Sequence, residues 1–301
     1  MMKKMKKKRK ISLLYIILFA VLAAYVLSML VLLLWGFLAS VKPSGIRFNN
    51  NILGLPEGAP WDWQWTNYTE VFKQFSVPVK RVIDGTLTRF EVGFGKIILY
   101  TVLYAGVGAF ISGIVPMAVA YATSKFDCII SRFIYTMVLI ILILPIIGAQ
   151  ASELAILHSL NLHDTFLGAW MLKFNFSGMY FLVFYATFKG ISKEYTEAAY
   201  IDGASEWAVF FRIMLPFAKV ILSTVILLRF IDFWNDYQVP LLYIPSHPTL
   251  AYSVWQISNN PKFYPPHVMA TCFMVMIPIL IIFLFAKDKL MGNLSMGGVK
   301  E

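Results

Sequence analysis

The sequence predicts an all-α integral membrane protein with six transmembrane helices and both termini in the cytoplasm. Three observations carry that expectation. The 301 residues are 59% hydrophobic and only 14% charged, against about 45–50% and about 25% in soluble domains. The apolar residues fall in long runs. The basic residues fall mostly between those runs, on one side.

A spanning helix needs about 20 mostly apolar residues to cross a hydrocarbon core about 30 Å thick. Six segments fit: approximately 13–38, 97–122, 132–150, 166–188, 217–241 and 267–286. The run from Ile11 to Leu38 is too long for a signal peptide's apolar region of about 7–15 residues, so it reads as a retained helix. Before it stands a basic block, residues 1–12, with Lys3, Lys4, Lys6, Lys7, Lys8, Arg9 and Lys10. Such a block holds its end in the cytoplasm and suits anionic headgroups. The net charge of +10 is therefore assigned to membrane lipid, not to nucleic acid.

The loops agree. The predicted inner loops carry Lys125, Arg132, Lys189, Lys193, Arg212, Lys219, Lys287, Lys289 and Lys300, whereas residues 151–165 carry no Lys or Arg and 242–266 only Lys262. That is the positive-inside pattern. The long outer loop 39–96 is too long to bear on it. In that loop Trp61, Trp63 and Trp65 read as interfacial anchors. Asn67 followed by Glu70 reads as a helix N-cap with its reciprocal carboxylate, opening a short helix to about Gln74.

Within the second span, Ala105, Ala109 and Gly113 recur every four residues, a stripe that lets helices approach closely in lipid. Gly106 and Gly108 thin the same region further. Pro116 and Pro145 are expected to kink or interrupt their helices. Cys128 and Cys272 read as small packing residues, since two such positions make no disulfide framework.

Several chemistries are absent. No phosphate-cradling G-x-x-x-x-G-K-[ST] occurs; Gly93-Phe94-Gly95-Lys96 lacks the spacing. The chain is thus not expected to hydrolyse ATP or to be an enzyme. Ser295-Met296-Gly297-Gly298 stands alone at the tail and carries no assignment. His158 and His163, near Glu153 and Asp164, lack metal-ligand spacing, so no metal or other cofactor is expected.

One inner loop is informative, residues 190–216. It contains Glu194-Tyr195-Thr196-Glu197-Ala198-Ala199-Tyr200-Ile201-Asp202-Gly203-Ala204-Ser205-Glu206-Trp207 and reaches Ile213 and Leu215-Pro216. Ala198 and Ala199 favour helix. Gly203 can end it in the left-handed conformation, and Ser205 can cap a second helix. Pro216 is tolerated where helix donors are free.

This loop resembles the EAA motif of permease subunits of bacterial ABC importers, with Glu197, Ala198, Ala199, Gly203, Ile213, Leu215 and Pro216 at the family's spacing and Asp202 and Ala204 completing Asp-Gly-Ala. The resemblance extends over roughly 66–301, through Ala120-Tyr121-Ala122-Thr123-Ser124-Lys125-Phe126 and Asn161 to Gly168. Trp234-Asn235-Asp236-Tyr237 and the tail Gly297-Gly298-Val299-Lys300 look like the MalG-like carbohydrate branch. It implies the ABC type I importer permease fold, with residues 13–301 forming one transmembrane permease domain. It also implies a coupling helix in which Glu197, Ala198, Ala199, Asp202, Gly203 and Ala204 meet a cytoplasmic ABC ATPase dimer. The implied partners are a second permease subunit, expected to make a heterodimer, and an extracytoplasmic substrate-binding protein. The implied cargo is a carbohydrate, and the implied location is a bacterial-type cell membrane.

Three departures from the family stand out: a segment Val77 to Lys96 that is longer than usual, Val220 in a common proline position, and the charged Arg229 and Asp232 in the fifth span. A lone mid-bilayer charge costs about 2.5–3.5 kcal/mol on insertion scales and should face a bundle interior or wet cavity. Asp232, three residues on, shares a helix face with Arg229. Arg229, Asp232, Asn235 and Asp236 are therefore the expected lining of a translocation path, with a structural ion pair between subunits as the alternative for Arg229 and Asp232. An importer for a non-sugar solute is the nearest rival reading. An ATP-independent secondary transporter would show inverted repeats with broken helices, which the sequence lacks.

Overall fold

The computed structural model describes residues 13–73, 75–83, 86–144 and 148–294. The basic block 1–12, Pro145 and the tail 295–301 lie outside them. The described part falls into two compact units, 13–71 with 260–274, and 72–259 with 275–294.

The first unit holds α1 (Leu13–Ser40), α2 (Ile46–Asn50), most of α3 (Thr66–Lys73) and the start of α14 (Pro265–Leu294). Helix α1 is exposed along most of its length, and its buried residues are Gly36, Ala39 and Ser40. Its end packs Phe37 edge-on against Phe273, with ring centroids 5.8 Å apart. Beyond it the chain turns around two polar side chains. The buried Lys42 donates from Nζ to the carbonyls of Asn51 and Ile52 (2.8 and 2.9 Å). Asn67 donates from Nδ2 to the carbonyls of Ser40 and Lys42 (2.8 and 2.9 Å). Asn67 therefore sits inside α3 rather than capping it. Its amide serves a distant turn, because buried carbonyls need donors. Glu70 does not reach back to a cap either; its Oε2 lies 3.2 Å from His267 Nε2.

The second unit begins with an antiparallel hairpin, β1 (Ser76–Ile83) and β2 (Thr86–Gly93), in register Ser76 to Gly93. It lies in the segment noted as long, where alternating β-branched residues favour strand. Helix α4 (Phe94–Lys125) then runs unbroken through Pro116. The small-residue stripe does pack: Ala105 and Ala109 are buried, and a Cβ on Gly113 would stand 2.7 Å from Ile226 Cγ1. Gly106, by contrast, faces open space. Cys128 and Cys272 are both exposed rather than packed.

Two expected spans are not continuous helices. The segment 132–150 is helical as α5 (Ile129–Ile143), and a new helix α6 (Gln150–Ser159) begins at its end. The segment 166–188 consists of α7 (Phe166–Met171) and α8 (Met179–Gly190). The break falls where Asn175 Oδ1 accepts from Ser177 N and Oγ (2.8 and 2.6 Å). An Asx turn of this kind competes with the helical ladder. The fifth span also ends early: α11 (Leu215–Trp234) stops before Asn235, and α12 (Gln238–Tyr243) follows. Among the described residues four helices are long and apolar enough to cross a membrane: Leu13–Ser40, Phe94–Lys125, Glu206–Trp234 and Pro265–Phe285.

Candidate functional site

The loop 190–216 folds as its residues dictate. Helix α9 (Glu194–Ile201) ends in a double backbone closure, Ala204 N to Ala199 O (2.9 Å) and Gly203 N to Tyr200 O (3.0 Å). That pattern requires a left-handed residue, and Gly203 supplies it at φ +80°. Ser205 then accepts from Ala208 N (3.3 Å) and opens α10 (Glu206–Val209). A π-turn over Phe210–Met214 links α10 to α11, and Leu215 N reaches back to Phe210 O. Pro216 has no N–H to return to the carbonyl of Arg212, so the ladder there is already interrupted.

Of the residues expected to meet an ATPase, Glu197, Ala198, Asp202 and Gly203 are exposed, while Ala199 and Ala204 are half-buried. Ala199 and Ala204 pack onto a core that includes Tyr121, Phe188 and Val209. The loop also presents Ile201 (86% exposed) and Trp207 (74%), large apolar side chains that the sequence motif did not single out. Tyr200 ties the two short helices together by donating to Glu206 Oε2 (2.7 Å). Its partial burial and that carboxylate push the phenol up to about 12.

The second cluster lies among α4, α11 and the break between α7 and α8. Asp236 Oδ2 accepts from the Tyr104 hydroxyl (2.6 Å), and Oδ1 accepts from the backbone N–H of Gln238 and Val239 (3.0 and 3.1 Å). The Lys173 ammonium stands 3.8 Å from Asp236 Oδ2 and 4.3 Å from the centroid of Phe233. Lys173 escaped the sequence reading because it fell within one long apolar run. The signal was there: Lys173, Asn175, Ser177 and Gly178 together interrupt that run.

Arg229 contacts Asp232 through Nη1 (3.5 Å) and lies over the Tyr180 ring at 4.6 Å. Arg229 and Lys173 line a cavity of about 200 Å³. The other expected path residues do not line it. Asp232 and Asn235 are exposed, and Asn235 Nδ2 donates to the carbonyl of Ile231 (2.9 Å).

On the predicted outer side, Asp164 holds Ser246 N (2.9 Å) and stands 3.4 Å from His247 Nδ1. Burial pushes its carboxyl up, but His247 and Ser246 outweigh burial and hold it below the usual carboxylate range. His158 and His163 stack at 4.2 Å. Among the described residues no group of three potential metal ligands converges.

A family model described as binding-protein-dependent transport system inner membrane component matches residues 114–290, which include the loop 190–216 and all of α11. The chain belongs to this family. It is thus a permease subunit of a binding-protein-dependent importer. The permease is 24% identical over 294 residues to the diacetylchitobiose uptake system permease protein NgcG of Streptomyces coelicolor, covering 92% of this chain and 86% of that one. It is 29% identical over 188 residues to the arabinooligosaccharides transport system permease protein AraQ of Halalkalibacterium halodurans, covering 60% and 66%. Its fold is similar to a chain in the crystal structure of a bacterial ABC transporter involved in the import of the acidic polysaccharide alginate. That match has TM-score 0.70, 21% identity, and coverage of 95% of this chain and 99% of that one.

Proposed function

We propose that this permease forms, with a second permease subunit, the translocation path for a carbohydrate delivered by an extracytoplasmic binding protein. A separate cytoplasmic ABC ATPase dimer drives it. Glu197, Ala198, Ala199, Asp202, Gly203 and Ala204 form the contact with that ATPase, joined by Ile201 and Trp207. The carbohydrate reading is supported by the sugar-uptake permeases that this chain resembles. The observation that carries the coupling role is the loop itself. A helix pair closed by Gly203 leaves carboxylates and large apolar side chains exposed. Apolar side chains ringed by charge are the composition of a docking surface.

In this reading α5, and α7 with α8, supply two further crossings, giving six with both termini inside a bacterial inner membrane. Arg229, Asp232, Asn235 and Asp236 belong to the path, with Lys173 added. ATP binding closes the ATPase dimer, and the loop carries that movement into α11 through the π-turn.

The test is co-purification of the tagged chain in mild detergent, wild type beside Glu197→Lys with Gly203→Pro. An ATPase and a second permease should accompany the wild type, and the variant should lose the ATPase. Purification of the wild type alone would overturn the reading.

A further inference from the structure

We propose that the carbohydrate passed by this permease carries carboxylate groups, as uronic acids do, and that Lys173 and Arg229 receive them. The inference rests on the carbohydrate reading above and names its substrate class. The cavity they line holds no acidic side chain. Its polar lining is Lys173, Arg229, Ser112, Asn175 and Ser177, beside the ring of Tyr180. The aspartates associated with the two cations lie outside that lining. Asp236 spends both oxygens on Tyr104 and on two backbone N–H groups. Asp232 touches Arg229 only at 3.5 Å through one nitrogen.

Both cations are left with unused donors. Arg229 Nε is buried without a hydrogen-bond partner among the described residues. Lys173 Nζ stays 3.8 Å from its aspartate, beyond hydrogen-bond reach, in a side chain only 12% exposed. A guanidinium N–H with no acceptor costs free energy unless a ligand supplies one. The guanidinium fork matches a carboxylate, and an ammonium serves as a point charge beside it. The neutral hydroxyl and amide groups suit sugar hydroxyls. A cavity of about 200 Å³ is smaller than typical ligand sites of about 300–1,000 Å³. It fits one acidic residue of an oligomer, with the remainder held by the partner permease.

The experiment uses the complete importer, with partner permease, ATPase and binding protein, in proteoliposomes. The probe is a mixture of uronate disaccharides and the same disaccharides with their carboxyls chemically reduced to alcohols. Imported sugars are identified by mass spectrometry. Wild type should import the uronate members in an ATP-dependent way. Lys173→Gln, and separately Arg229→Gln made with Asp232→Asn so that no carboxylate is stranded, should each cut that uptake at least about tenfold, the loss expected for one charge-assisted hydrogen bond. The partner permease should still co-purify with each variant, which separates lost substrate binding from lost assembly. Arg229→Lys should recover part of the uptake.

Import of only the reduced sugars by wild type would overturn the proposal while leaving the carbohydrate reading intact. So would unchanged uronate uptake in both variants. Loss of the partner permease from either variant would assign the cations to subunit pairing and overturn it as well. ATP-driven import of neither class would overturn this proposal together with the carbohydrate reading.

Discussion

The loop 190–216 and the Lys173–Asp236 cluster spend their charges in opposite ways. In the loop, Glu197 and Asp202 point into water, and the shape is held by backbone closures within ten residues of each other. In the cluster, charges sit inside the helix bundle, and the shape depends on side chains that meet across 132 positions, as Tyr104 and Asp236 do. Removing a carboxylate from the loop should therefore change what the chain binds. Removing one from the cluster should change whether the chain folds. The same formal substitution has two different meanings in one small subunit.

The largest effect is expected in the cluster. Asp236→Leu strands the Tyr104 hydroxyl, two backbone donors and Lys173 together. Leaving several buried donors unsatisfied costs about 1–3 kcal/mol for each group, so this variant should show the largest fall in melting temperature of the detergent-solubilised protein. Asp236→Asn keeps an acceptor and should lose less. A melting temperature that does not move in Asp236→Leu would mean that the cluster holds nothing in place.

Next comes the contact between α4 and α11. Gly113→Val should cost about 1–3 kcal/mol by overpacking against Ile226 and Leu222, read as lower folded yield and melting temperature. At the loop, Gly203→Val forces a branched residue to φ +80°. The left-handed penalty of about 1–2 kcal/mol falls on the turn, so thermal stability should drop modestly while co-purification of the ATPase drops sharply. Equal losses of stability and of binding would erase the contrast between the two regions.

The loop was legible in the sequence because the backbone closures and caps that shape it lie within 194–216. Gly203 and Ser205 take the backbone roles their residue types suggest. The cluster was half legible. Arg229 and Asp236 could be singled out as charges in an apolar span, but Lys173 and Tyr104 join Asp236 only through the fold. Asn67 shows the same limit. Its pattern with Glu70 reads as a cap, yet two buried carbonyls at Ser40 and Lys42 claim its amide instead. Helix continuity was over-read at 166–188, since hydropathy averages away the Asx turn at Asn175 that splits it.

The smallest expected effect is at Asp164. Its carboxyl is held below the usual range, so it protonates at lower pH in the folded chain than in the unfolded one. Its contribution is complete above the ordinary carboxylate value of about 3.9 and is lost as pH falls through the depressed value. Acid melting curves of wild type should fall more steeply below that range than those of Asp164→Asn. Parallel curves would remove Asp164 from the account.

The central claim is that an external ATPase drives this permease through the cytoplasmic loop. The most direct measurement is sugar uptake into proteoliposomes holding the complete importer, with and without ATP, for wild type and Glu197→Lys. The account predicts uptake by wild type only with ATP and binding protein, and none by Glu197→Lys despite an unchanged melting temperature. Uptake that proceeds without ATP, or that survives Glu197→Lys at full rate, would contradict it.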